Sequence, residues 1–171
     1  LTAYEQVKIF NRIFFKAHKF HGDSKNYHSP VNSYINTVLE SKKGNPLSIC
    51  LLYSIIAQSL DLPIYGVNLP NHFVLAYIDT RGSGAMINEE NEFGVLCYIN
   101  AFSNGVIFNT NEIKQFLDEL KLPHRREYFE PCSNSAIIKR MLNNLISSFQ
   151  RVGNSEKVEE LTLLRNIIQG N

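Results

Sequence analysis

The chain predicts an α+β domain, in which a central buried helix packs on an antiparallel sheet and a helical hairpin follows. Three features carry this expectation. The segment NPLSICLLYSIIAQSLDLP, Asn45 to Pro63, is helix-like and almost wholly apolar, as a helix buried on most sides must be. The runs IYGVNLP, HFVLAYI, AMI and VLCYINAF are short, β-branched or aromatic, and separated by Pro70, Gly82, Gly84 and Gly94. The stretch from Ser133 to Gln169 returns to helical spacing in two segments joined by VGNS.

Each element has its own signal. YEQVKIFNRIFFKAHKF sets Val7, Phe10, Phe14 and Ala17 on one stripe with Lys8, Arg12 and Lys16 off it, predicting a first helix packed on a core. HSPVNSYINTVLESKKG predicts a second, capped by Ser29 with Pro30 in its first turn and stopped at Gly44. The central helix repeats the device, with Asn45 as cap, Pro46 at the first helical position and Pro63 past the end. In the sheet, SNGV places Asn104 and Gly105 in the dipeptide that a two-residue hairpin prefers, because both positions need positive φ. NTNEIKQFLDEL opens on a capping box, Asn109 with Glu112. The last two helices are expected at about 134–152 and 156–169. Leu161, Leu164 and Ile168 form a stripe that needs a partner, so residues 132–171 are expected as a hairpin like one tetratricopeptide unit, after a domain at 1–131.

Composition narrows the function classes. With 17 basic and 16 acidic residues the formal charge is +1, and no basic stripe interleaves with aromatics, so charge points to no nucleic acid or membrane surface. Three cysteines without a repeated spacing argue against a disulfide framework and fit a reducing, cytoplasmic compartment. No run reaches the roughly 18–20 apolar residues of a membrane span, and no signal peptide is expected. The missing initiating Met, and a helical pattern still running at Ile168, lead us to expect a fragment of a longer chain.

FHGDSKNYHSPVNSYINTVLESKKGNPLSICLLYSIIAQSLDLPIYGVNLPNHFVLAYI, followed by YINAFSNGVIF, resembles the SirB-type branch of the transglutaminase-like superfamily. The likeness runs from about Phe10 to Phe108, and the helical tail IIKRMLNNL is similar to that branch as well. The resemblance implies a papain-like core: a helix start carrying a nucleophilic thiol, and strands supplying a His and an Asp or Asn. That layout suits the chemistry, because the helix end favours a thiolate, the His accepts its proton, and the third group orients the imidazole.

In active relatives a Cys follows a Gly as the central helix begins; counting back from LDLP, the equivalent position here is Pro46, which has no nucleophile. NHFVLAYI matches the strand that brings the His, which is His72, and YINAF places Asn100 where the family has Asp. Asn suffices to orient a His in papain-type enzymes. Cys50 lies four residues past Pro46, on nearly the same helix face and about 6 Å deeper, and is expected as buried filler. Ser48 is expected to make a cap-region hydrogen bond, Cys97 to sit in the core, and Cys132 to help start the next helix. Asn32 and Ser33 are expected to cap or brace the second helix against the site. Asn100 has a second reading, a strand-end residue bonding its own turn. If the strands carrying His72 and Asn100 are neighbours, both side chains should face the start of the central helix within hydrogen-bond reach.

His18, His21 and His28 lack the paired short spacings of a zinc site, so no metal and no cofactor is expected. Two functions remain. One is a non-catalytic, pseudoenzyme module that binds a protein or peptide; the other is a cysteine-dependent amidase, protease or acyltransferase with a shifted Cys50–His72–Asn100 triad. Pro46 favours the first.

Overall fold

A computed structural model describes residues 1–80 and 93–170 of the chain. Its elements run α1 (Ala3–Asn11), a π-helical turn (Arg12–Ala17), β1 (His21–Gly22), a 3₁₀ turn (Pro30–Ser33), α2 (Ile35–Ser41), β2 (Lys43–Gly44) and α3 (Pro46–Ser59). Then follow β3 (Ile64–Val67), β4 (Val74–Ile78), β5 (Val95–Asn100), a 3₁₀ turn (Ala101–Ser103), β6 (Val106–Phe108), α4 (Thr110–Glu119), α5 (Asn134–Arg151) and α6 (Ser155–Gln169). The expected strand at AMI lies outside the described residues. Strands β3 to β6 form one antiparallel sheet in chain order, and β1 pairs in parallel with β2. The fold is α+β, as expected.

Both faces of the sheet are covered. Residues 73, 75 and 77 of the β4 strand and its entry, together with Ile64, Cys97, Ile99 and Ile107, pack on α3 and α1 around Tyr53, Phe10 and Phe14. Side chains alternate along a strand. The intervening residues Val74 and Ala76, with Val67, Tyr98 and Phe108, therefore pack the other way, against Ile113 and Leu117 of α4 and against Phe129. A helix buried on most sides thus lies on one face and a one-sided amphipathic helix on the other.

Local chemistry explains where the elements begin and end. Asn45 caps α3 in a capping box: its Oδ1 accepts the Ser48 N–H at 2.9 Å, and Ser48 Oγ accepts the Asn45 N–H at 3.0 Å. Asn109 and Glu112 do the same for α4. Three details depart from the expectations. Ser29 makes no side-chain cap; the second helix is broken into a 3₁₀ turn and α2, which ends where Lys42 turns left-handed at φ 63°. Gly44 is instead in β2, where a Cβ would come within 2.5 Å of Ser48 Oγ. The β5–β6 connection spans residues 101–105 rather than two, because Asn100 caps the 3₁₀ turn; Asn104 and Gly105 still take the expected positive φ, 56° and 77°.

The C-terminal helices form the expected pair. Helix α5 buries Ile137, Leu142, Leu145 and Ile146, whereas α6 has no buried residue and leaves Leu163, Leu164 and Ile167 at least half exposed.

Candidate functional site

The start of α3 is held from outside as well as by its own cap. Ser48 Oγ donates to the Asn32 carbonyl at 2.6 Å, and Asn45 Nδ2 donates to Ser33 Oγ at 2.9 Å. Asn32 Nδ2 in turn donates to the Asn26 carbonyl at 2.7 Å. Asn32 and Ser33 thus brace the third helix rather than the second. These polar side chains are buried, and each bond satisfies a group that burial would otherwise strand.

Beside this braced helix end lies a cleft of about 220 Å³, lined by Pro46, Asn71, Phe73, Arg140, Asn144 and Ser147 among others. Pro46 sits at the position where the resemblance places a nucleophile. Cys50 does not reach the cleft. It is 0% exposed, and its Sγ donates to the Phe73 carbonyl at 3.3 Å. Burial pushes its pKa up to about 12, so the reactive thiolate is suppressed. The half-buried Cys97 packs against the same core, and burial raises its pKa to about 11. Cys132 immediately precedes Ser133, the side-chain cap of α5, and its N–H donates to the Gly66 carbonyl.

His72 lies elsewhere. A turn closed by its N–H on the Leu69 carbonyl, with Asn71 at φ 59°, delivers it one residue before Phe73, so it falls on the α4 face of the sheet with Val74. There it lines a second groove of about 320 Å³ with Asn100, Val106, Phe108 and Phe116. Its ring packs edge-on to Phe116, centroids 5.1 Å apart. That covering, and then the charge of Arg140, hold the imidazole pKa below its ordinary value and favour the neutral ring. Asn100 is on the same face, as expected of neighbouring strands, but its Oδ1 accepts the Ser103 N–H at 3.1 Å. Among the described residues no hydrogen bond joins Asn100 to His72. The pair shares a groove that faces away from the start of α3, and the Cys50 thiol is on the other side of the sheet.

The cleft holds a residue that the sequence reading passed over. Arg140 Nη1 donates to Asn68 Oδ1 at 2.7 Å and to the Leu69 carbonyl at 2.9 Å, tying α5 to the β3–β4 loop. Arg140, Asn144 and Ser147 recur at spacings of four and three, which sets them on one face of α5, and that polar stripe was the available signal. Among the described residues no group of three or more His, Cys, Asp or Glu side chains is placed to hold a metal, and no helix is long and apolar enough to cross a membrane.

Comparison with known proteins agrees with this architecture. The chain is 28% identical over 148 residues to F-box only protein 21 of Homo sapiens, covering 86% of this chain and 22% of that protein. It is 29% identical over 149 residues to a UPF0162 protein of Haemophilus influenzae, covering 82% of this chain and 53% of the relative. A UPF0162 protein of Xylella fastidiosa is 37% identical over 70 residues, 41% of this chain and 25% of the relative. The chain therefore spans about half the length of one of these relatives and about a quarter or less of the other two. No solved structure matches significantly. The family model for the transglutaminase-like superfamily matches residues 1–143, and with its central helix on an antiparallel sheet the chain belongs to that superfamily.

Proposed function

We propose that the domain is a non-catalytic transglutaminase-like module of the SirB-type branch, which binds a protein or peptide segment at the cleft beside α3 and acts in a regulatory role. One observation carries this reading: the groups of a thiol–imidazole pair are divided by the sheet. The Cys50 thiol is sealed in the α3 core, His72 opens into the α4 groove, and Pro46 stands at the helix start with no nucleophile. Nucleophile and base must be within hydrogen-bond reach, directly or through one water, for proton transfer, and a buried neutral thiol does not attack. What remains at the helix start is a polar, open cleft suited to recognition.

Two further readings accompany it. Residues 132–171 are the start of a tetratricopeptide-like array, supported by the unfilled apolar face of α6. The cytoplasm is the compartment, supported by three free cysteines and no disulfide among the described residues.

The test is turnover of an N-blocked peptide amide and of a thioester by the protein, by Cys50→Ala and by His72→Ala. We expect none above buffer in all three. A rate lost in Cys50→Ala would establish a cysteine hydrolase or acyltransferase and end the non-catalytic reading.

A further inference from the structure

We infer that the cleft beside α3 is a carboxylate subsite in which the Arg140 guanidinium grips an acidic group of a bound peptide. The inference rests on the binding-module reading and names the ligand chemistry. Arg140 is half-buried and reaches the cleft from α5. Both hydrogens of Nη1 are spent on Asn68 and the Leu69 carbonyl, which fixes the plane of the guanidinium. Nε and Nη2 have no hydrogen-bond partner among the described residues, and no carboxylate lies within 4 Å of any of its nitrogens there. Those two nitrogens form the fork that a carboxylate fits with two parallel hydrogen bonds.

The surroundings offer no competing negative charge. The cleft has no Asp or Glu in its lining, and its other polar groups include Asn71, Asn144, Ser147 and His28. Burying a cation without an acid partner is unfavourable, and the missing counter-charge is what a ligand supplies. The helix end adds only the Leu47 N–H, because Pro46 has no N–H and the capping box already occupies the Ser48 N–H. The guanidinium is therefore the anchor. At about 220 Å³ the cleft admits one acidic residue and part of its neighbour, a scale that suits a peptide end or an Asp or Glu side chain.

The experiment is an NMR titration of the ¹⁵N-labelled protein, reading the Arg140 Nε–H signal and the amides of the first turn of α3. Probes are N-acetylglycine, which imitates a peptide C-terminus, N-acetylaspartate N-methylamide, which imitates an acidic side chain, N-acetylglycine amide as the uncharged control, and inorganic phosphate. We expect saturable shifts with one or both acids and none with the amide; the tighter acid identifies the source of the carboxylate. Arg140→Gln should weaken the acid by at least about tenfold. Because that variant also loses the anchor to Asn68, Asn144→Glu serves as a second test: one turn along α5, its carboxylate pairs with Arg140 in place of the ligand and should abolish acid binding without loosening the loop. Undiminished binding in either folded variant, no saturable shift with either acid, or phosphate tighter than both acids would overturn the subsite. Failure here with an inert protein leaves the non-catalytic reading intact. Cysteine-dependent turnover removes that reading and leaves the carboxylate binding to stand by itself.

Discussion

Both faces of the sheet carry a packed apolar core, the larger one on the α3 side, yet they treat chemistry in opposite ways. On the α3 face a thiol is packed among aromatics and a polar cleft opens at the helix end; on the α4 face an imidazole opens into an apolar groove. The difference comes down to strand parity. Phe73, not His72, is the residue that β4 delivers to the cleft, so a shift of one residue decides whether a base and a thiol meet. A chain can thus carry a His and a Cys in its sequence while the fold keeps them on separate sides.

The largest expected effect tests that separation at the helix itself. Burial raises the Cys50 pKa to about 12, so at neutral pH it holds far less thiolate than a free thiol. Pro46→Cys would place a thiol at the helix start, in the cleft, where the dipole and water both favour ionisation. Iodoacetamide labelling at pH 8, resolved by peptide mass, should therefore run at least about a hundredfold faster at position 46 of that variant than at the fully buried Cys50. Comparable rates would mean that Cys50 is reachable, and the contrast between the faces would collapse.

A core truncation on each side sharpens the contrast next. Ile49 is 0% and Ile113 is 1% exposed, so Ile49→Ala and Ile113→Ala should each cost about 2–5 kcal/mol in urea denaturation. Their effects on Cys50 should differ. The first opens the cluster that seals the thiol and should speed its labelling, while the second enlarges the groove around His72 and should leave labelling unchanged. Equal acceleration by both would show one continuous, loosely coupled core.

What the sequence showed and what it hid follows the range of the interactions. The caps of α3 and α4 were legible because Asn45–Ser48 and Asn109–Glu112 act within one turn. The depth of Cys50 was legible too, since helix geometry relates it to Pro46. The face of His72 was not: HFVLAYI is apolar on both sides because both sides are buried, so no alternation marks which residues meet α3. The five-residue connection after β5 was missed because the Asn104–Gly105 signal is stronger in sequence than the Asn100–Ser103 cap. Arg140 went unnoticed because its partners, Asn68 and the Leu69 carbonyl, are about seventy residues away in the chain.

The smallest expected effect reads the electrostatic link between the two sides. The His72 pKa is lowered from 6.5, first by covering of its ring and second by Arg140, whose guanidinium reaches the same β3–β4 loop from the cleft side. A lowered folded pKa means that the unfolded chain binds more protons in the window just below 6.5, so stability rises with pH across that window. The contribution is complete above 6.5 and is lost as pH falls toward the folded value. His72→Gln should therefore flatten the melting temperature against pH in the window just below 6.5 relative to the parent, with the two curves displaced by a constant at higher pH. Arg140→Gln should lessen the slope only in part, because the covering by Phe116 remains. If parent and His72→Gln run parallel through the window, the ring is fully solvated and Phe116 does not cover it. If Arg140→Gln alone removes the whole slope, charge rather than covering controls the imidazole, and the two faces are more tightly coupled than strand parity implies.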